Sequence, residues 1–195
     1  MAEIHRLKER LDQAGQIEDP LVRRMLALAI VTEGLSKTRI RPIMVGGGAV
    51  AFYTLGGYTT EDIDVVMPSA PVVDRVMSDL GFEKSGRHWV RTDIDIVIEA
   101  PASTLHGDMD HVVEVDVDDV HAYVVGVEDL IIDRLCAFVH WESEEDGRWA
   151  LRLISIHGET LDWDYLRRKA AEEKVADALA EMERIWRRER DRETD

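Results

Sequence analysis

Asp62 and Asp64 stand two residues apart in Thr60-Glu61-Asp62-Ile63-Asp64-Val65-Val66. In an extended strand both carboxylates leave one face, roughly 6.6 Å apart along the chain, while Ile63 and Val65 turn towards the core. Strands are depleted in Asp, so an Asp/Ile/Val alternation is not a neutral way to build one. Two carboxylates brought this close repel each other unless a cation lies between them, which suits a divalent metal held against phosphates. A third carboxylate from a neighbouring strand, Asp95 or alternatively Asp93, would complete a two-metal cage. Upstream, Val45-Gly46-Gly47-Gly48 ends a short β-branched run. Glycines there let the backbone approach a ligand closely, and the helix that follows offers free N–H groups and a positive dipole end to a triphosphate.

These residues need a frame. Residues 1 to 14 read as a polar helix, and Asp19-Pro20 supplies an N-cap and a first-turn proline for a second helix through Ser36. Ile40 to Val45 reads as a strand and Ala49 to Leu55 as a helix ended by Gly56-Gly57. Asp62 to Met67 is a strand closed by Pro68, and Ser69 would cap a helix bearing Val72, Val73, Val76, Met77 and Leu80 at helical spacing. Ser85-Gly86 reads as a hairpin turn before a strand from Trp89 to Ile98, in which Asp93 and Asp95 alternate with Ile94, Ile96 and Ile98. Residues 101 to 111 read as a loop, Val112 to Val117 and Ala122 to Val125 as short strands, and everything from Glu128 onward as three helices. The fold class this implies is α/β (α+β), a mixed sheet flanked by helices. Its divisions are N-terminal helices over 1–39, a core over 40–126 and a C-terminal helical segment over 127–195.

Composition narrows the function. The chain has 195 residues, enough for one core, with 40 Asp and Glu against 24 Lys and Arg and a net charge of −16. Such a field repels phosphate backbones at low salt and disfavours a general nucleic-acid binder. Carboxylate-rich and lysine-poor, it would suit a salt-loving source, an expectation that fails if stability is the same in low and molar salt. Cys136 alone permits no internal disulfide and reads as a buried thiol in a reducing compartment. The expected location is cytoplasmic, since no apolar run reaches the roughly 18–20 residues of a membrane span and the N-terminus lacks a signal-peptide pattern. His106, Asp108, Asp110 and His111 read as a polar loop, because no spacing among them selects zinc. The serines have no nucleophile-elbow setting. Trp141, Trp149, Trp163 and Trp186 read as helix-packing residues, and the Arg/Glu mixture after Glu181 as a solvated helix laced with ion pairs.

In order, the Gly-Gly-x-Ala element Gly46-Gly47-Gly48-Ala49, the Thr60-Glu61-Asp62-Ile63-Asp64 element, a later Asp, the helix Glu128 to Ala137 and the helix opening at Asp146 resemble the nucleotidyltransferase superfamily with the DNA polymerase β-like fold. Within it the chain is most similar to stand-alone nucleotidyltransferases related to AbiEii and MenT toxins, over roughly residues 43 to 155. The resemblance implies metal-dependent transfer of a nucleoside monophosphate from an NTP to a hydroxyl of an RNA end such as tRNA, a protein or a small molecule. It implies Asp62, Asp64 and Asp95 as catalytic carboxylates and ligands of Mg²⁺ or Mn²⁺. Gly46, Gly47, Thr60 and Arg134 would form the nucleotide side, with Asp146 supporting the helix of Arg134 or the catalytic base. A cognate antitoxin is the partner it suggests. One departure is Tyr58, where many relatives carry Arg. The rival reading is a non-catalytic module that keeps the fold for nucleotide sensing or partner binding.

Overall fold

The computed structural model describes residues 2–193, which divide after Val125 into two compact units. The first is built on a seven-stranded mixed sheet in the order β3-β4-β5-β2-β1-β7-β6. Its strands are β1 (Ile43–Met44), β2 (Ile63–Val66), β3 (Glu83–Ser85), β4 (His88–Arg91), β5 (Ile96–Ala102), β6 (Val113–Val117) and β7 (Val120–Val124). Helices α1 (Ala2–Ala14), α2 (Pro20–Gly34), α3 (Gly46–Tyr53) and α4 (Pro71–Asp79) accompany them. β1 runs antiparallel to β2 and parallel to β7, and β2 runs parallel to β5. β3, β4 and β5 form an antiparallel meander on one side of the sheet, and β6 and β7 a hairpin on the other.

Local chemistry explains most of the element boundaries. Asp19 caps α2 by accepting from the Leu21 and Val22 amides at 2.8 and 3.1 Å, with Pro20 in the first turn. Residues Met25 to Val31 of α2 are buried without interruption, so this helix is enclosed rather than laid down on one apolar face. In β2, Ile63 and Val65 are fully buried while Asp64 is half-exposed, as the alternation predicts. α4 begins at Pro71 after Ala70, not at a Ser69 cap, because proline's fixed φ already suits the first turn.

The segment read as one strand from Trp89 to Ile98 is two strands joined by a tight turn. Asp95 takes φ +55, a left-handed conformation that short polar side chains tolerate, and the chain reverses there to pair β4 with β5. Arg91, buried on β4, donates to both Asp93 oxygens at 2.8 and 2.6 Å, to Asp12 at 2.5 Å and to the Leu80 carbonyl at 2.7 Å. Hydrogen bonding from Arg91 holds the Asp93 carboxyl below its usual range. Ile94 remains buried in this turn, packed so closely on the chain just after α1 that a Cβ at Gly15 would stand 2.6 Å from it. The alternation of burial therefore persists through a stretch that is not a strand.

The second unit holds four helices rather than three: α5 (Val127–His140), α6 (Glu144–His157), α7 (Trp163–Glu172) and α8 (Ala176–Glu193). The additional break falls at Lys174, where φ is +62. Gly147 lets α6 approach Phe138 of α5, since a Cβ there would lie 2.6 Å from its ring. Asp129, buried on α5, accepts from the Tyr165 hydroxyl at 2.6 Å, and Trp163 stacks on Trp186 at 5.2 Å. Trp141 does not pack: it is 76% exposed. Arg184 and Arg187 pair with Glu181 and Glu183 along α8, as the interleaved charges suggested. Cys136 is only half-buried, and that burial pushes its thiol pKa up.

Candidate functional site

The parallel register of β2 and β5 decides which carboxylates meet. Ile63 pairs with Ile98 and Asp64 with Glu99, so Glu99 stands beside Asp64 on the same face of the sheet. Asp62, Asp64 and Glu99 each place an oxygen within 4.8 Å of the others, and no other group of three metal-capable side chains does so among the described residues. Asp95 is not brought to this cluster. It precedes β5 in the turn, four residues before Glu99, and its 82% exposed carboxylate pairs with Arg23 at 3.2 Å. Asp93 is taken up by Arg91. The third carboxylate beside Asp62 and Asp64 is thus Glu99, at the same strand parity as Asp93 and Asp95 but further along the chain.

Each member is held in place. The Thr60 hydroxyl is within hydrogen-bonding distance of Asp62 Oδ1 at 3.1 Å and of the Asp62 carbonyl at 3.3 Å. Glu99 is buried; Arg87 Nε lies 2.6 Å from one oxygen and His88 Nε2 3.0 Å from the other. The Val45 amide donates to the Asp64 carbonyl at 2.9 Å, which carries the glycine turn directly over β2. Gly46 adopts φ +57, and a Cβ on it would lie 2.6 Å from Asp64 Oδ2. A Cβ on Gly47 would meet Tyr58 Cε1 at 2.8 Å and Thr60 Oγ1 at 3.3 Å. Glycine is therefore required at position 46 by conformation and by space, and at position 47 by space. Val45 supplies no side-chain cap to α3, whose first turn opens next to Asp64 at Gly46.

Three hard oxygen donors beside an uncapped helix N-terminus match what a phosphate-bound divalent cation needs. The chain matches, over residues 27–190, the model of the family described as nucleotidyltransferase of unknown function (DUF6036). The chain belongs to this family. No curated protein matches it. Membership agrees with the superfamily that the ordered glycine and Asp-Ile-Asp elements resemble, at the level of the nucleotidyltransferases as a whole.

For this nucleotidyltransferase-family chain, Arg134 lies in the second unit, on α5, where it pairs with Asp133 at 2.6 Å and Asp146 at 2.7 Å. Asp146 also accepts from the Ser143 hydroxyl at 2.6 Å. His106 and His111 lie in or beside the short turn before β6, where Asp108 caps the Asp110 amide. No helix is long and apolar enough to cross a membrane among the described residues. Glu99 had one legible signal, a lone acid inside Ile96-Val97-Ile98-Glu99-Ala100, but choosing it over Asp95 needs the strand register.

Cation affinity separates the two candidates for third carboxylate. Glu99→Gln should weaken Mn²⁺ binding at least about tenfold, the loss of a charged ligand. Asp95→Asn should leave it within about twofold and cost at most about 1 kcal/mol of stability, since an exposed ion pair is worth little. Titration of each variant with Mn²⁺ checks both; equal losses would remove the assignment to Glu99.

Proposed function

We propose that the protein transfers a nucleoside monophosphate from an NTP to a hydroxyl acceptor with the help of Mg²⁺ or Mn²⁺. The observation that carries this is the convergence of Asp62, Asp64 and Glu99 on one point beside the first turn of α3. The donor set is all carboxylate oxygen, which suits hard divalent ions and offers nothing to soft ones. Asp62, Asp64 and Glu99 would hold the cation, and when bound it would supply positive charge to the phosphates and to the leaving pyrophosphate.

The chain's own groups do the rest. Amides of the first turn of α3 receive phosphate oxygens, and Gly46 and Gly47 let that turn lie against Asp64, Tyr58 and Thr60. Thr60 orients Asp62, while Arg87 and His88 fix Glu99 through one contact to each of its oxygens. The acceptor oxygen forms a bond to the α-phosphorus as the bond to the bridging oxygen breaks, and that electron pair leaves with pyrophosphate. The hydroxyl proton passes to Glu99, whose oxygens each retain a lone pair beyond their present partners, and from there to water.

The acceptor is an RNA end, a protein hydroxyl or a small molecule, and the toxin role suggested by resemblance would follow from which of these it is. Incubation with α-labelled NTPs, Mg²⁺ or Mn²⁺, and total RNA or total protein tests the reading. Label from the α-phosphate is expected in one acceptor pool. Label arriving from the γ-phosphate would mean phosphoryl transfer instead, and no incorporation with any NTP would leave a nucleotide-sensing or partner-binding module.

A further inference from the structure

The cations that are at least partly buried in the first unit each pair with a carboxylate, with one exception, although Arg10 and Arg23 each keep one buried nitrogen without a partner. Arg10 pairs with Asp119 at 2.7 Å, Arg23 with Asp95 at 3.2 Å, Arg91 with Asp12 and Asp93, and Lys8 with Asp12 at 3.4 Å. Arg24, on α2 and also partly buried, has no hydrogen bond or ion pair among the described residues. In a chain with 40 acidic residues against 24 Lys and Arg, a half-buried guanidinium is not left without a carboxylate for want of acids. A guanidinium carries five donors in a fixed fork, and those of Arg24, with no carboxylate on them, are open to another anion.

The topology shows which end of the sheet Arg24 belongs to. Asp62 and Asp95 each immediately precede one of two adjacent parallel strands, β2 and β5, so both lie at the same end of the sheet, the end at which β1 delivers Gly46. Arg23 fastens α2 to that end through Asp95, and even so its Nε is buried without a partner. Arg24 is the next residue of the helix. Its surroundings agree: burial, and then Arg23, lower its pKa, while Asp95, Asp62 and Glu61 oppose them, so the guanidinium stands in the field of the metal-ligand face.

We propose that Arg24 is a phosphate-binding residue that takes oxygens of the nucleotide's triphosphate at the Asp62–Asp64–Glu99 cluster. Its fork supplies bidentate donors, and a triphosphate provides the anion that the protein itself withholds from it. The proposal rests on the nucleotide reading of the cluster and extends it to a helix outside the glycine and Asp-Ile-Asp elements.

Equilibrium binding of ATP, GTP, CTP and UTP and of the matching monophosphates, each with Mg²⁺ and again in EDTA, tests it on wild type, Arg24→Ala and Arg24→Lys. Arg24→Ala should weaken triphosphate binding about tenfold or more, the usual loss for a charge-assisted contact, and monophosphate binding by no more than about twofold. Arg24→Lys should recover part of the affinity. Mn²⁺ binding in the absence of nucleotide should be unchanged or tighter in Arg24→Ala, because a positive charge near Asp62 is gone. A merely structural Arg24 would weaken metal and nucleotide together, and that result overturns the proposal. Wild-type triphosphate binding that Arg24→Ala leaves intact also overturns it and spares the reading of the site. A wild type with no affinity for any triphosphate overturns both.

Discussion

Asp64→Asn should abolish nucleotide incorporation, by about 10³-fold or more, while the protein stays folded. Several kcal/mol of transition-state stabilisation is what a catalytic cation provides, and each 1.36 kcal/mol is about tenfold in rate. Asn keeps the shape of Asp64 but removes the charge that makes three oxygens within 4.8 Å a cation site. In the absence of metal the substitution removes like-charge repulsion with Asp62 and Glu99, so the melting temperature at low salt should be no lower than wild type. The clearest signature is a crossing. Saturating Mn²⁺ should raise the melting temperature of wild type, by the equivalent of about 2.7 kcal/mol at a hundredfold excess over Kd, and leave Asp64→Asn nearly unmoved. A variant that melts early, or that still incorporates label, would refute the assigned role of Asp64.

Gly46→Ala should damage stability and activity together. An L-residue at φ +57 costs about 1–2 kcal/mol, and the new Cβ would stand 2.6 Å from Asp64 Oδ2, so the carboxylate or the turn must shift. Displacing a reacting constellation by about 1 Å costs on the order of a hundredfold in rate. The control is Gly56→Ala, at φ +83 with nothing within 4 Å of the added carbon. It should lose about 1–2 kcal/mol from strain alone and keep its activity within about twofold. Thermal melts and α-label incorporation on the two variants separate strain from collision; equal activities would show that Gly46 does not bound the site.

Local rules carried the reading furthest where one residue's geometry sufficed. Asp19-Pro20 marks a capped helix start, Gly46 is a turn that only glycine makes comfortably, and Asp62 and Asp64 share a face because a strand has period two. The reading failed where spacing had to stand for register. Asp93 and Asp95 continue the alternation of Ile94 and Ile96 without a break, but the bonds from Arg91 and the positive φ at Asp95 turn the chain there. Nothing in the local sequence says that Ile98 will lie opposite Ile63, a pairing between segments 35 positions apart, and that pairing is what selects Glu99. The break at Lys174 is hidden from the sequence for a similar reason. It needs one residue in a left-handed conformation, and lysine gives no advance notice of it.

The trio of acids is shared between the middle of the sheet, which carries Asp62 and Asp64, and an outer meander that brings Glu99 together with Arg87 and His88. No part of the chain owns the cluster until β5 has docked on β2. Occupancy by a cation consequently rewards the docked arrangement over any in which the meander has peeled away, and ties the least central strands of the sheet to the chemistry at its centre.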